Sequence, residues 1–186
     1  MDALKKALAL LAVLIVAIVP VCLTDSADAD SPDGLLIQQV NPKECEGVAV
    51  HNYGSTAVDM KDYIIADMPQ TTGSKEGTLI FAESIIVQPG KTLVLASERK
   101  EGNFFSNQDN VRIYDGEGAD PAIVKSKNFS LANGGDDVYL FKNGEIIDAV
   151  VYGTAKIEDK PYWNGPSVNL RYALPFERYN GKDTDS

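Results

Sequence analysis

From residue 30 onward, apolar and polar positions alternate over short runs that Gly, Pro, Asn and Asp interrupt. A period of two sends successive side chains to opposite faces of a strand. On that basis the chain predicts about nine strands, over residues 35–40, 46–51, 58–66, 78–81, 84–87, 92–96, 111–114, 136–141 and 145–152. No stretch of ten or more residues after Asp30 carries a convincing helical period. Many short strands at this spacing, with turn residues between them, predict an all-β, antiparallel sandwich or barrel.

The turn signals have physical reasons. Asn143-Gly144 stands between two apolar runs. Both residue types tolerate positive φ, as a type I′ hairpin turn requires. Gln88-Pro89-Gly90-Lys91 has Pro to pre-set φ and Gly free to take the left-handed region. Asn52-Tyr53-Gly54-Ser55 and Asn133-Gly134-Gly135-Asp136 read as further turns. Residues 97–110 form a polar excursion around Phe104-Phe105, expected to be a loop or one-turn helix pinned to the sandwich by that aromatic pair. Residues 115–121 read as a second loop. Residues 154–186 form an aromatic, Pro- and Gly-rich extension that ends in a linker. Trp163, Leu170, Leu174 and Phe176 are expected to lie back across one sandwich edge.

The first 29 residues have a different character. Lys5 and Lys6 precede an apolar run over 7–19, Pro20 ends any helix, and Ala27-Asp28-Ala29 offers a small-x-small exit. Basic start, apolar helix and small-residue exit predict a secretory signal. An uncleaved anchor is the rival, because the uncharged stretch 7–24 lies near the lower length limit for a span. Either outcome puts the rest of the chain outside the cytoplasm, secreted or at the cell surface. Membrane contact is then expected only through this segment. Residues 30–34 read as a linker and 35–153 as the domain.

Composition narrows the chemistry. Lys plus Arg is 17 against 27 Asp plus Glu, a net charge of -10. Residues 1–29 carry two of the lysines and three of the aspartates, so the remainder keeps 15 basic and 24 acidic side chains. Such a chain is a poor general ligand for nucleic acid, whose affinity comes mainly from Lys and Arg. The single histidine, His51, has no sequence neighbour that marks it as a base, and no serine-nucleophile elbow accompanies it. His51 and Cys45 are too few for a standard zinc site once Cys22 leaves with the signal. Cys45 is expected to be a small buried hydrophobe. Calcium prefers clustered carboxylates. Asp115, Glu117 and Asp120, and the pair Asp136-Asp137, have no EF-hand spacing and read as solvated loops and turn caps. No catalytic residue, metal ligand or cofactor is expected. Asn128-Phe129-Ser130 is the single Asn-x-Ser/Thr sequon and a candidate glycosylation acceptor, although its residues also suit a structural role. Tyr53, Tyr63, Phe81, Tyr114, Tyr139, Tyr152 and Trp163 are candidates for an exposed binding face, with most expected in the core.

Several blocks together resemble a known family. Leu36-Ile37, Glu46 to Gly54 and Val58 to Asp67 resemble the opening of a lamin-tail domain. Ser130-Leu131-Ala132-Asn133-Gly134-Gly135-Asp136-Asp137 and the hairpin around Asn143-Gly144 are the more specific match. Tyr63 stands where the family usually has tryptophan, and the second strand departs around Val50-His51. The resemblance implies an immunoglobulin-like antiparallel β-sandwich with no shared catalytic residues. It also implies a non-catalytic interaction or targeting role, with a protein or a cell-surface glycan as partner. Secreted relatives of this type, archaeal ones included, often precede a phospholipase D-like or nuclease domain. The rival expectation is therefore an accessory domain of such a hydrolase. His51 is followed by Asn52-Tyr53 and not by a phospholipase D motif.

Overall fold

A computed structural model describes residues 34–43, 45–67, 77–98, 110–126, 128–154 and 176–177. Within them lie twelve strands: β1 (Leu35–Asn41), β2 (Gly47–Asn52), β3 (Val58–Asp59), β4 (Tyr63–Ala66), β5 (Thr78–Phe81), β6 (Ile86–Val87), β7 (Thr92–Ala96), β8 (Val111–Ile113), β9 (Ile123–Lys125), β10 (Gly135–Lys142), β11 (Glu145–Gly153) and β12 (Phe176–Glu177). The first sheet has the order β12-β1-β2-β7-β8 and the second β11-β10-β4-β5-β9. A short β3-β6 ribbon accompanies them. The expected signal segment, residues 1–29, lies outside the described residues, as do Trp163, Leu170, Leu174 and the Phe104-Phe105 pair.

Alternation builds the core. Val48 and Val50 of β2, Leu93 and Leu95 of β7, Val138 and Leu140 of β10, and Val150 and Tyr152 of β11 all enter one buried cluster between the sheets. Burying a side chain of this size contributes about 1.5–3 kcal/mol. This is an immunoglobulin-like β-sandwich. On the outer face of the second sheet, Ile80 and Val124 are register partners and stay 43% and 50% exposed.

The structure corrects three expectations. The run 58–66 is two strands in different sheets, with a one-turn 3-10 helix (Met60–Asp62) between them. Asp59 forces the break: its Oδ1 accepts from the Lys61 and Ile85 amides, and its Oδ2 from Ser84 Oγ at 2.6 Å. Met60 then drops into the core. Second, the sandwich is not wholly antiparallel, because β7 and β8 pair in parallel. Parallel neighbours need a long crossover, and residues 97–110 supply it. Third, β9 was not foreseen, although it pairs along β5. Phe176 returns to a sandwich edge as expected, where Phe176 and Glu177 pair as a strand with Val40 and Gln39.

Two aspartates close the sandwich sides. Asp120 donates its amide to Ile113 O, accepts from Ile123 N, and binds Arg112 through Oδ2 at 2.7 Å. It therefore ties edge strand β8 to edge strand β9. Opposite, buried Asp148 of β11 accepts from the β1 amide of Ile37 at 2.6 Å and from the edge amide of Ala149 at 2.9 Å. Inward charges of this kind block further strand pairing.

Candidate functional site

The most specific sequence block, residues 130–137, folds onto three carboxylates. Consecutive amides each find a different one. Ser130 N donates to Asp67 Oδ2 at 2.8 Å, Leu131 N to Glu46 Oε2 at 3.2 Å, and Ala132 N to Asp136 Oδ2 at 2.8 Å. Asp67 follows β4, is fully buried, and also accepts from Gly77 N. Gly77 must lack a side chain, since a Cβ there would collide with the Phe129 backbone. Tyr152 donates to Ala132 O and Tyr114 to Glu46 O, both at 3.1 Å. Burial pushes the phenols of Tyr114 and Tyr152 well up, and the same carboxylates add to the shift. Burial also pushes the Asp136 carboxyl up to about 6, with Asp137 and Asp67 adding repulsion against its two backbone hydrogen bonds. Unpaired backbone donors are costly when buried, so this end works as an anchor for a loop.

The acidic loop 115–121 is held differently. Lys125 binds Asp115, which stays below the usual carboxylate range chiefly through that contact. Asp120 is lowered first by the Ala122 amide and then by Arg112. Among the described residues, no group of three His, Cys, Asp or Glu could hold a metal ion.

His51 is half-buried on the outward face of β2. Its Nδ1 lies 2.8 Å from Thr92 Oγ1, which donates to Gln38 Oε1 at 3.0 Å. Its ring packs on Tyr53 at 4.2 Å between centroids. Burial lowers its pKa, so the neutral imidazole prevails at neutral pH. Sequence reading missed this relay, because Gln38 reaches Thr92 only through a bulge in β1.

Cys45 is buried, as expected, and adopts a positive φ of 70° with its thiol 3.4 Å from Glu98 Oε1. Asn128 is exposed on the β9–β10 connection, and Ser130 Oγ contacts Glu46 Oε1 at 3.3 Å. Of the aromatic candidates, Tyr63, Phe81, Tyr114, Tyr139 and Tyr152 are core residues; Tyr53 alone is partly exposed, and Trp163 lies outside the described residues.

No match to a curated protein was found. The family model described as Lamin Tail Domain matches residues 27–154. That span runs from before β1 to the end of β11 and takes in every strand of both sheets but β12, with the carboxylate-anchored loop. The chain belongs to the lamin tail domain family.

Proposed function

We propose that this lamin tail domain is a non-catalytic interaction or targeting module that works outside the cytoplasm, secreted or tethered through residues 1–29. One observation carries the non-catalytic half. The acidic side chains that look most like chemistry are engaged in the fold: Glu46, Asp67 and Asp136 on consecutive backbone amides, Asp115 and Asp120 on cations. The partner is a protein or a cell-surface glycan, met by the faces and loops of the sandwich. Asp120 and Asp148 tie two described sides of the sandwich, which disfavours strand addition there. The basic start, apolar run and small-residue exit of residues 1–29 support export. No helix among the described residues is long and apolar enough to cross a membrane.

Protease treatment of intact cells tests the location. The reading expects digestion or release of the domain before lysis. Protection until lysis would overturn it. In the second reading, the chain is the accessory domain of a secreted hydrolase. It is favoured by the Trp163-Asn164-Gly165-Pro166 and Asp183-Thr184-Asp185-Ser186 segments, which resemble linkers ahead of phospholipase D-like domains in secreted archaeal-type proteins.

A further inference from the structure

Asn128-Phe129-Ser130, the single Asn-x-Ser/Thr sequon, follows β9 and opens the carboxylate-anchored loop. Asn128 and Ser130 are exposed. Phe129 between them is buried and meets the Tyr114 ring edge-on at 5.5 Å. The fold thus presents the two residues that define a sequon and buries the one whose type the motif leaves open. The Phe129 amide donates to Ser126 O at 3.2 Å, which closes a four-residue turn with Asn128 in its third position. Ser126 is pinned to β5: its amide donates to Thr78 O at 2.8 Å, and its Oγ accepts from the Thr78 amide at 2.7 Å.

The same contacts lock the folded sequon. A transferase must take it as an extended segment and hold its hydroxyl, since the motif demands Ser or Thr at that place. Here the Ser130 amide donates to buried Asp67 at 2.8 Å, and the Leu131 amide to Glu46 Oε2 at 3.2 Å. Ser130 Oγ itself donates to Glu46 Oε1 at 3.3 Å. The Phe129 backbone lies so close to Gly77 that a Cβ there would stand 1.9 Å from the Phe129 nitrogen. Extending the segment would break these bonds and withdraw Phe129 from the core.

We propose that Asn128 accepts an N-linked oligosaccharide during export, before residues 126–132 dock, and that the folded domain then displays the glycan on the β9–β10 connection. The donor class is a lipid-linked oligosaccharide served by a membrane oligosaccharyltransferase. A bond forms between Asn128 Nδ2 and the anomeric carbon of the sugar. The bond from that carbon to the lipid phosphate breaks, and the phosphate leaves with the electron pair. The amide gives one proton to a base of the transferase. This inference rests on the reading that the domain works outside the cytoplasm.

The full-length protein is produced in a host that has such a transferase, and peptide mass spectrometry reads position 128. The expected result is an oligosaccharide on Asn128 of the exported protein. Ser130→Ala should abolish it at an unchanged Tm, and Ser130→Thr should keep it. Lys182→Thr supplies the control, because it completes a second sequon on Asn180-Gly181, beyond the family match. Modification at Asn180 with none at Asn128 overturns the proposal and leaves export standing. Modification at neither position overturns the export reading and the proposal with it. The order of events has its own readout. Folded protein from a host without the transferase is offered to transferase-bearing membranes with lipid-linked donor, beside a synthetic peptide of residues 124–134. The peptide should be modified and the folded protein should not. Equal modification of both would overturn the proposed order.

Discussion

At the scale of single residues, the structure turns on carboxylates that bind backbone. Asp67 is the most committed: fully buried, it satisfies the Gly77 and Ser130 amides at once. Asp67→Ala leaves two donors short of a charged acceptor and should destabilise by about 3 kcal/mol, read from urea unfolding. Asp136 behaves in the opposite sense on titration. Its folded pKa, about 6, lies above the usual carboxylate value. The folded state therefore binds its proton more tightly, and the domain should gain stability as pH falls from 7 toward 4. Asp59, Asp115 and Asp120 are shifted down, Asp59 first through Ser84, so acid below about 4 removes the stability they contribute. Thermal melts should show a rise in Tm between pH 7 and 5 in the wild type and none in Asp136→Asn. An equal rise in the variant would mean that another group titrates there. Of these roles only the capping of a turn amide by Asp136 was legible in the sequence, because Asp67, Glu46 and residues 130–132 meet only through tertiary packing. The sequence marked 130–137 as specific without revealing which acids hold it.

At the scale of elements, local chemistry was readable where it was self-contained. Asn143 and Gly144 both take positive φ, at 52° and 85°, as the Asn-Gly pair predicts. Gly144→Ala should cost about 1 kcal/mol, since a Cβ in the left-handed region is strained. Unfolding curves would register it, and an unchanged midpoint would contradict the turn assignment. Legibility failed where partners were distant. Residues 58–66 look like one strand until Asp59 meets Ser84 and Ile85 from another segment. β9 is three residues long, too short to show a period, and exists because β5 offers it an edge. The edge aspartates were equally hidden. Asp148→Ala would strand the amides of Ile37 and Ala149 and uncover a strand edge. A loss of about 2–4 kcal/mol is expected, with self-association visible by light scattering. A stable monomeric variant would show that another group protects that edge.

At the scale of the whole molecule, the two sheets enclose one core with their sides tied by Asp120 and Asp148, and the family match spans that unit. The all-β class and most of the strands were legible because alternation is a local signal. The parallel β7–β8 pair was not, since it depends on where a long connection returns. The candidate site followed the same rule: His51, Cys45 and the acidic loops were recognisable as residues, but their partners Thr92, Glu98, Lys125 and Arg112 came only with the fold. The central claim is the proposal that this domain is a non-catalytic interaction or targeting module that works outside the cytoplasm. Protease treatment of intact cells, followed by detection of residues 35–153 before and after lysis, tests it most directly. The account predicts that the domain is digested or released before lysis. A domain that stays intact until the cells are broken would contradict the account.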